Sequence, residues 1–219
     1  MSLLPDGRSL TGREVRLDLL REEDAAGLGP LLADPAAYEQ GYVMHRRPVD
    51  AADGQALVRE RFLAGQGLVD GRSGGRTAYA VRLARDSGLG SAGTLVGTSA
   101  LLEADLGNES VHLGSTFYGR RWWGTVVNPA TKLLLLAHCF DDLGYGRVKI
   151  QTDARNARSQ AAIGRLGAVR EGVLRRHTRR EDGSFRDTVV FSILAEEWPA
   201  VRRALVARLS APGPSSRPS

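Results

Sequence analysis

Three places along the chain combine residue types that do chemistry. The first is Arg120-Arg121-Trp122-Trp123-Gly124-Thr125-Val126, which separates an apolar, β-branched run ending at Tyr118 from Asn128-Pro129 and a leucine-rich run. A strand that breaks into a basic, glycine-containing loop and then a helix leaves backbone N–H groups unpaired at the positive end of the helix dipole, so the joint is an anion site. Arg120 and Arg121 add full charges, and a phosphate-bearing cofactor fits there. The second place holds Asn156 and Ser159, an amide and a hydroxyl presented together where a strand stops and a helix begins. The third is His112, inside the first apolar run, with Glu103 and Asp105 after the strand before it. Imidazole titrates near neutral pH and can take the proton of an ammonium group. By alternation His112, Gly114, Thr116 and Tyr118 share one face.

The surrounding sequence must position these groups. Residues 110–118 read as a strand closed by Gly119, and Asn128 suits an N-cap with Pro129 in the first turn, so a helix is predicted over 129–143 with Gly144 near its end. Residues 147–154 alternate as a strand, and a second helix begins at Asn156 and stops at Gly167. Upstream, 77–84 and 93–102 read as strands. Between them Gly88, Gly90 and Gly93 spell a dinucleotide fingerprint, but it opens a strand rather than a helix, so it reads as a hairpin loop. Asp182-Gly183 predicts another hairpin, with the basic run of residues 175–180 on one arm. Residues 22–38 and 51–64 have helical spacing.

Composition sets outer bounds. A chain of 219 residues with 42% hydrophobic content buries one core, so 1–209 reads as a single domain and 210–219 as a mobile, Pro- and Ser-rich tail. No apolar run approaches the ~18 residues of a membrane span, and no leader is apparent, so a soluble, cytoplasmic protein is expected. Cys139 is the only cysteine, which excludes an intramolecular disulfide and a cysteine-based zinc cluster; it reads as core. The other histidines, His45, His138 and His177, lack metal-ligand spacing, and no metal is expected. The net charge of +5 is largely scattered arginine without a recognised pattern of interleaved aromatics, which disfavours a nucleic-acid partner.

Several segments together resemble the GCN5-related N-acetyltransferases (GNAT), in their ribosomal-protein-acetyltransferase-like branch. They are L-T-G-R-E-V-R-L-D-L-L-R-E-E-D, the strand ending T-F-Y, the basic loop before N-P-A-T-K-L-L-L-L, H-C-F-D-D-L-G-Y-G-R-V, T-D-A-R-N-A-R-S, and R-L-G-A-V-R-E-G-V-L-R-R-H. The likeness spans roughly residues 10–203. It implies an α/β (α+β) fold with a twisted, mostly antiparallel central sheet and helices on both faces. It also implies acetyl-coenzyme A as cosubstrate and a primary amine as acceptor, either a small molecule or a peptide N-terminus. The family's phosphate loop runs Gln or Arg, two residues, Gly, one residue, Gly or Ala. Arg121 and Gly124 match it and Val126 stands at the sixth place, whereas a register set on Asn128 and Lys132 puts Trp123, Val126 and Asn128 at the key positions. Both registers stay open, with Arg121, Trp123, Gly124, Thr125, Val126 and Asn128 as phosphate-loop residues.

The resemblance further implies that Phe117 and Tyr118 contact the cofactor through their main chain, with Asn156 and Ser159 at its sulfur end. Many relatives protonate the leaving thiolate with a tyrosine; that place is Ile163 here, and the branch's serine is Ser159. Each role has a plain structural alternative: strand pairing for Phe117 and Tyr118, capping for Ser159, core packing for His112. A different class of reading, a catalytically weak module that binds acyl-coenzyme A and acts through partners, stays open, as does oligomeric state, a homodimer included.

Overall fold

Alternation of small and large apolar side chains along the middle strands gives the sheet two buried faces. The computed structural model describes residues 2–39, 45–68 and 73–211. Chain order is β1 (Leu10–Thr11), β2 (Val15–Leu19), α1 (Ala25–Ala33), α2 (Ala51–Val58), β3 (Gly67–Leu68), β4 (Ser73–Leu83), β5 (Leu95–Asp105) and β6 (Ser110–Tyr118). Then follow α3 (Val127–Ala137), β7 (Arg147–Asp153), α4 (Ala157–Gly164), β8 (Val169–Arg179), β9 (Phe185–Leu194) and α5 (Trp198–Ser210). The sheet order is β1-β2-β4-β5-β6-β7-β9-β8, with β3 beside β4. Its described pairs are antiparallel except β6 with β7. Tyr79, Val81, Val111 and Leu113 face a core shared with α3, α4 and α5, while Ala78, Ala80 and Ala100 face α1 and α2. The mostly antiparallel α/β sheet with helices on both faces is as expected, and the glycine-rich segment between β4 and β5 is a hairpin loop.

Several local expectations change. β1, β2 and α5 are additions, carried by short or weakly amphipathic segments. The helix expected over 22–38 is divided, because Asp34 is extended (ψ 116°) and accepts from the Ala36 amide ahead of a short turn. Asn128 lies inside α3 rather than capping it; the capping position is Val126. Glu103 and Asp105 belong to β5 itself, and Asp105 accepts from the Asn108 amide in the turn that follows. Cys139 is fully buried, as expected. The proposed tail falls, beyond the end of α5 and Ala211, outside the described residues.

The largest departure is in β6. Ser115 has φ +45°, and the register with β5 shifts between Thr98 and Ala100. This bulge inverts the alternation: Val111 and Leu113 face the α3 core, but so does Tyr118, while Phe117 packs toward α1 and α2. His112 therefore does not share a face with Thr116 and Tyr118. Beneath the bulge, Lys132 of α3 is buried, and its Nζ donates to Thr116 Oγ1 (2.6 Å) and Ser99 Oγ (3.0 Å). Two acceptors suit a neutral amine better than an ammonium with three N–H groups. Burial accordingly pulls the Lys132 pKa down from 10.5 to about 7.

At the sheet's open end β8 is exposed along nearly its whole length, including Val169, Val173 and Leu174. Its register with β9 breaks twice, and Arg176 has φ +48°. The basic run is solvated except Arg180, which is buried and donates to Asp153 at the end of β7.

Two predictions arise. The unfolded chain keeps the Lys132 proton up to its ordinary pKa of 10.5, whereas the folded protein releases it near 7, so between those values unfolding takes up a proton and stability rises with pH. Lys132→Met should flatten that rise, measured as denaturant midpoints from pH 7 to 9.5. At the α1–α2 crossing a Cβ on Gly54 would stand 2.2 Å from the Gly29 carbonyl oxygen. Gly54→Ala should cost about 1–3 kcal/mol in chemical denaturation, whereas Gly164→Ala, with nothing within 4 Å, should cost nothing.

Candidate active site

β6 and β7 pair only through Ser110, Val111 and His112 before they part. From Leu113 onward the outer edge of β6 has no strand partner among the described residues, while β7 continues along β9 as far as Asp153. A cleft therefore opens through the middle of the sheet. Its α3-side mouth is bordered by the loop after β6 and by the start of α4.

Loop geometry decides which amides are available. Trp123 N–H donates to Arg120 O and Thr125 N–H to Trp122 O. The Thr125 hydroxyl donates to Trp122 O (2.8 Å) and accepts from the Val127 amide (3.3 Å). From Trp123 to the first turn of α3, the amides left without a hydrogen bond among the described residues are those of Gly124, Val126 and Asn128. Gly124 has φ +73°, a left-handed turn that favours glycine. Three unengaged N–H groups at the start of an 11-residue helix, beside exposed Arg120 and Arg121, form an anion site. They draw on both readings of the loop: Gly124 from one, Asn128 from the other, Val126 from both.

Across the cleft, Asn156 caps α4 by accepting from the Ser159 amide (2.9 Å). The Ser159 hydroxyl makes no hydrogen bond among the described residues, so capping is the work of Asn156. Arg158 lies 3.7 Å above the Trp123 ring centroid, joining the two banks, and the Trp123 indole N–H donates to the Tyr118 carbonyl (2.7 Å). That carbonyl is occupied, which leaves the main chain of residues 115–117 as the open edge. The Trp123–Arg158 contact and the buried Lys132 were not legible as site features. The only trace was Lys132 four residues after Asn128.

On the α1/α2 face His112 is 5% exposed, with Nδ1 3.4 Å from Glu103 Oε1, within ion-pairing range but outside hydrogen-bond alignment. Lys149 Nζ donates to the other Glu103 oxygen at 2.6 Å. His112 first, then Lys149, hold the Glu103 carboxyl down at about 2, against the upward push of partial burial. Glu103 is thus a poor proton acceptor near neutrality and a good partner for a charged imidazole. His112 Nε2 has no hydrogen-bond partner among the described residues and lies beneath Gly114, where an added Cβ would meet it at 2.8 Å. Beyond it Tyr38, His45 and Phe62 stack edge to face, and Arg61 donates to Glu181 at the β8–β9 turn, so the α2 end and the hairpin meet over this face. Burial raises Tyr38 to about 12 and lowers His45.

Comparison with known proteins agrees with this geometry. A family model described as an acetyltransferase (GNAT) domain matches residues 14–169. No curated protein matches. Among solved structures, a GCN5-related N-acetyltransferase from Brucella melitensis is 27% identical over 94% of this chain and 87% of its own, with a TM-score of 0.78. A candidate acetyltransferase from T. thermophilus is 32% identical over 95% of this chain and 100% of its own, at 0.76. Mycobacterium smegmatis RimJ, solved in complex with CoA-disulfide, shares the fold at 20% identity over 93% and 95% of the two chains, at 0.70. The chain is an acetyltransferase enzyme and belongs to the GNAT family.

Proposed function

We propose that the protein transfers an acetyl group from acetyl-coenzyme A to a primary amine, in a ternary complex and in the manner of the RimJ-like branch. The observation that carries this is the parting of β6 from β7 after three residue pairs, next to the unengaged amides of Gly124, Val126 and Asn128. Those amides, with Arg120 and Arg121, hold the pyrophosphate. The open edge of β6 up to Phe117 pairs with the pantetheine arm and polarises the thioester carbonyl. Tyr118 serves through Trp123, which fixes its carbonyl and so the end of the strand. Asn156 orients the first turn of α4. A lone buried cysteine fits a cytoplasmic enzyme, and no helix among the described residues is long and apolar enough to cross a membrane.

An alkyl ammonium with a pKa near ~10 must shed a proton before it can attack. His112 accepts it, and Glu103, itself held by Lys149, stabilises the imidazolium. The amine nitrogen then bonds to the acetyl carbon as the carbon–sulfur bond breaks. Ser159 gives its proton to the departing sulfur and recovers one from the nitrogen. The products are the acetamide, the free thiol and one proton, which His112 returns to solvent.

Ser159→Ala should lower kcat by about 10²-fold and leave acetyl-coenzyme A affinity within a factor of a few, measured by thiol release and calorimetry. Equal turnover would remove the proton-donor role. His112→Gln should abolish the acid limb of the kcat/KM pH profile, and Glu103→Gln should lower kcat/KM, because the imidazolium loses the carboxylate that stabilises it. An acid limb unmoved in His112→Gln would assign His112 to the core alone. Tight coenzyme binding without thiol release from any amine would favour the acyl-coenzyme A binding module.

A further inference from the structure

The face of the sheet toward α1 and α2 carries two guanidinium groups that form no ion pair with a carboxylate among the described residues. Strand register puts Arg76, Leu102, His112, Lys149 and Ser192 in one row across β4, β5, β6, β7 and β9. Arg186 stands six residues before Ser192 on β9, an even spacing that keeps it on the same face. Arg76 is half-buried and donates through Nη1 to Ser115 Oγ (3.1 Å), at the bulge where β6 leaves β7. Among the described residues it meets no acid. Arg186 is also half-buried, its Nε has no partner, and its side chain makes no hydrogen bond or ion pair among the described residues. Its nearest acid, Asp153, accepts from Arg180 and from the Arg155 amide.

The other charges on this face are matched. Glu103 is shared by His112 and Lys149, and Asp153 is held by Arg180. Burying a cation without an anion is costly, and desolvation lowers the pKa of both Arg76 and Arg186. Arg76 bonds to the residue next to Thr116, beside the strand edge that lines the thioester, and His112 is in its row. An amine approaching His112 over this face passes the Arg76 fork.

Resting on the acetyl-transfer reading above, we propose that the acceptor is an amine that carries a carboxylate, and that Arg76 binds that carboxylate. A guanidinium offers paired N–H donors in the plane in which the two oxygens of a carboxylate accept. Arg76 is a specificity residue rather than a participant in the chemistry.

The test uses the full-length protein, acetyl-coenzyme A and amidated peptides that differ only in Asp or Asn at the second position, with a phosphoserine peptide as a third arm. The acidic peptide should be preferred by about 10-fold or more in kcat/KM, the worth of a charge-assisted hydrogen bond. Arg76→Gln should bring that ratio close to one, chiefly through the acceptor KM. Arg76→Lys should restore part of it. Equal use of Asp and Asn peptides by the wild type, or an undiminished ratio in Arg76→Gln, overturns the carboxylate assignment and leaves acetyl transfer standing. Preference for phosphoserine over Asp overturns it in favour of a phosphate. Absence of thiol release with every amine overturns both readings together.

Discussion

Everything about this site depends on two neighbouring strands that stop pairing. Parallel strands normally continue their ladder until one ends, because an unpaired backbone edge away from water is costly. Here β6 bulges at Ser115, and its free edge faces a cleft. The bulge is held from both sides: Lys132 ties Thr116 and Ser99 to α3, and Arg76 ties Ser115 toward β4. The same α3 that supplies Lys132 opens with the unengaged amides. The depth of the open β6 edge and the position of the anion site are therefore set by one helix.

The opposite bank is held differently. Asp153, at the end of β7, receives Arg180 from the β8–β9 hairpin and the Arg155 amide, and Asn156 then caps α4. A buried ion pair of this kind contributes little net stability, but removal of one partner is strongly destabilising. It fixes where β7 ends and α4 begins, and so where Ser159 stands. One bank relies on hydroxyls around a buried lysine amine, the other on a full ion pair.

Much of this was legible in the residues. β6 was readable to its last residue because Ser110–Tyr118 is β-branched, aromatic and closed by glycine. The hairpin loops at Gly88–Gly93 and Asp182-Gly183 followed from turn chemistry, and the strand–loop–helix joint from charge and glycine. Alternation failed where the backbone broke it: nothing in Gly114-Ser115-Thr116 announces a positive φ at serine, so the face of His112 was read as that of Thr116. Asn128 looked like a cap because asparagine before proline usually is one, but Thr125 reaches the Val127 amide first. Lys132 in a leucine-rich run gives no sign of its acceptors, since Ser99 and Thr116 are distant in sequence. β1, β2 and α5 carry too few residues or too weak a stripe to stand out.

The exposed β8 edge gives the arginine-rich composition a second meaning. A strand paired on one side only, with Val169, Val173 and Leu174 open to solvent, is a template on which another chain can add. Two breaks in register, a left-handed Arg176, and charges at Arg170, Arg175, Arg176 and Arg179 make that addition irregular and repulsive. The densest positive charge in the chain thus acts as insulation that keeps an open-ended sheet from growing into its neighbours.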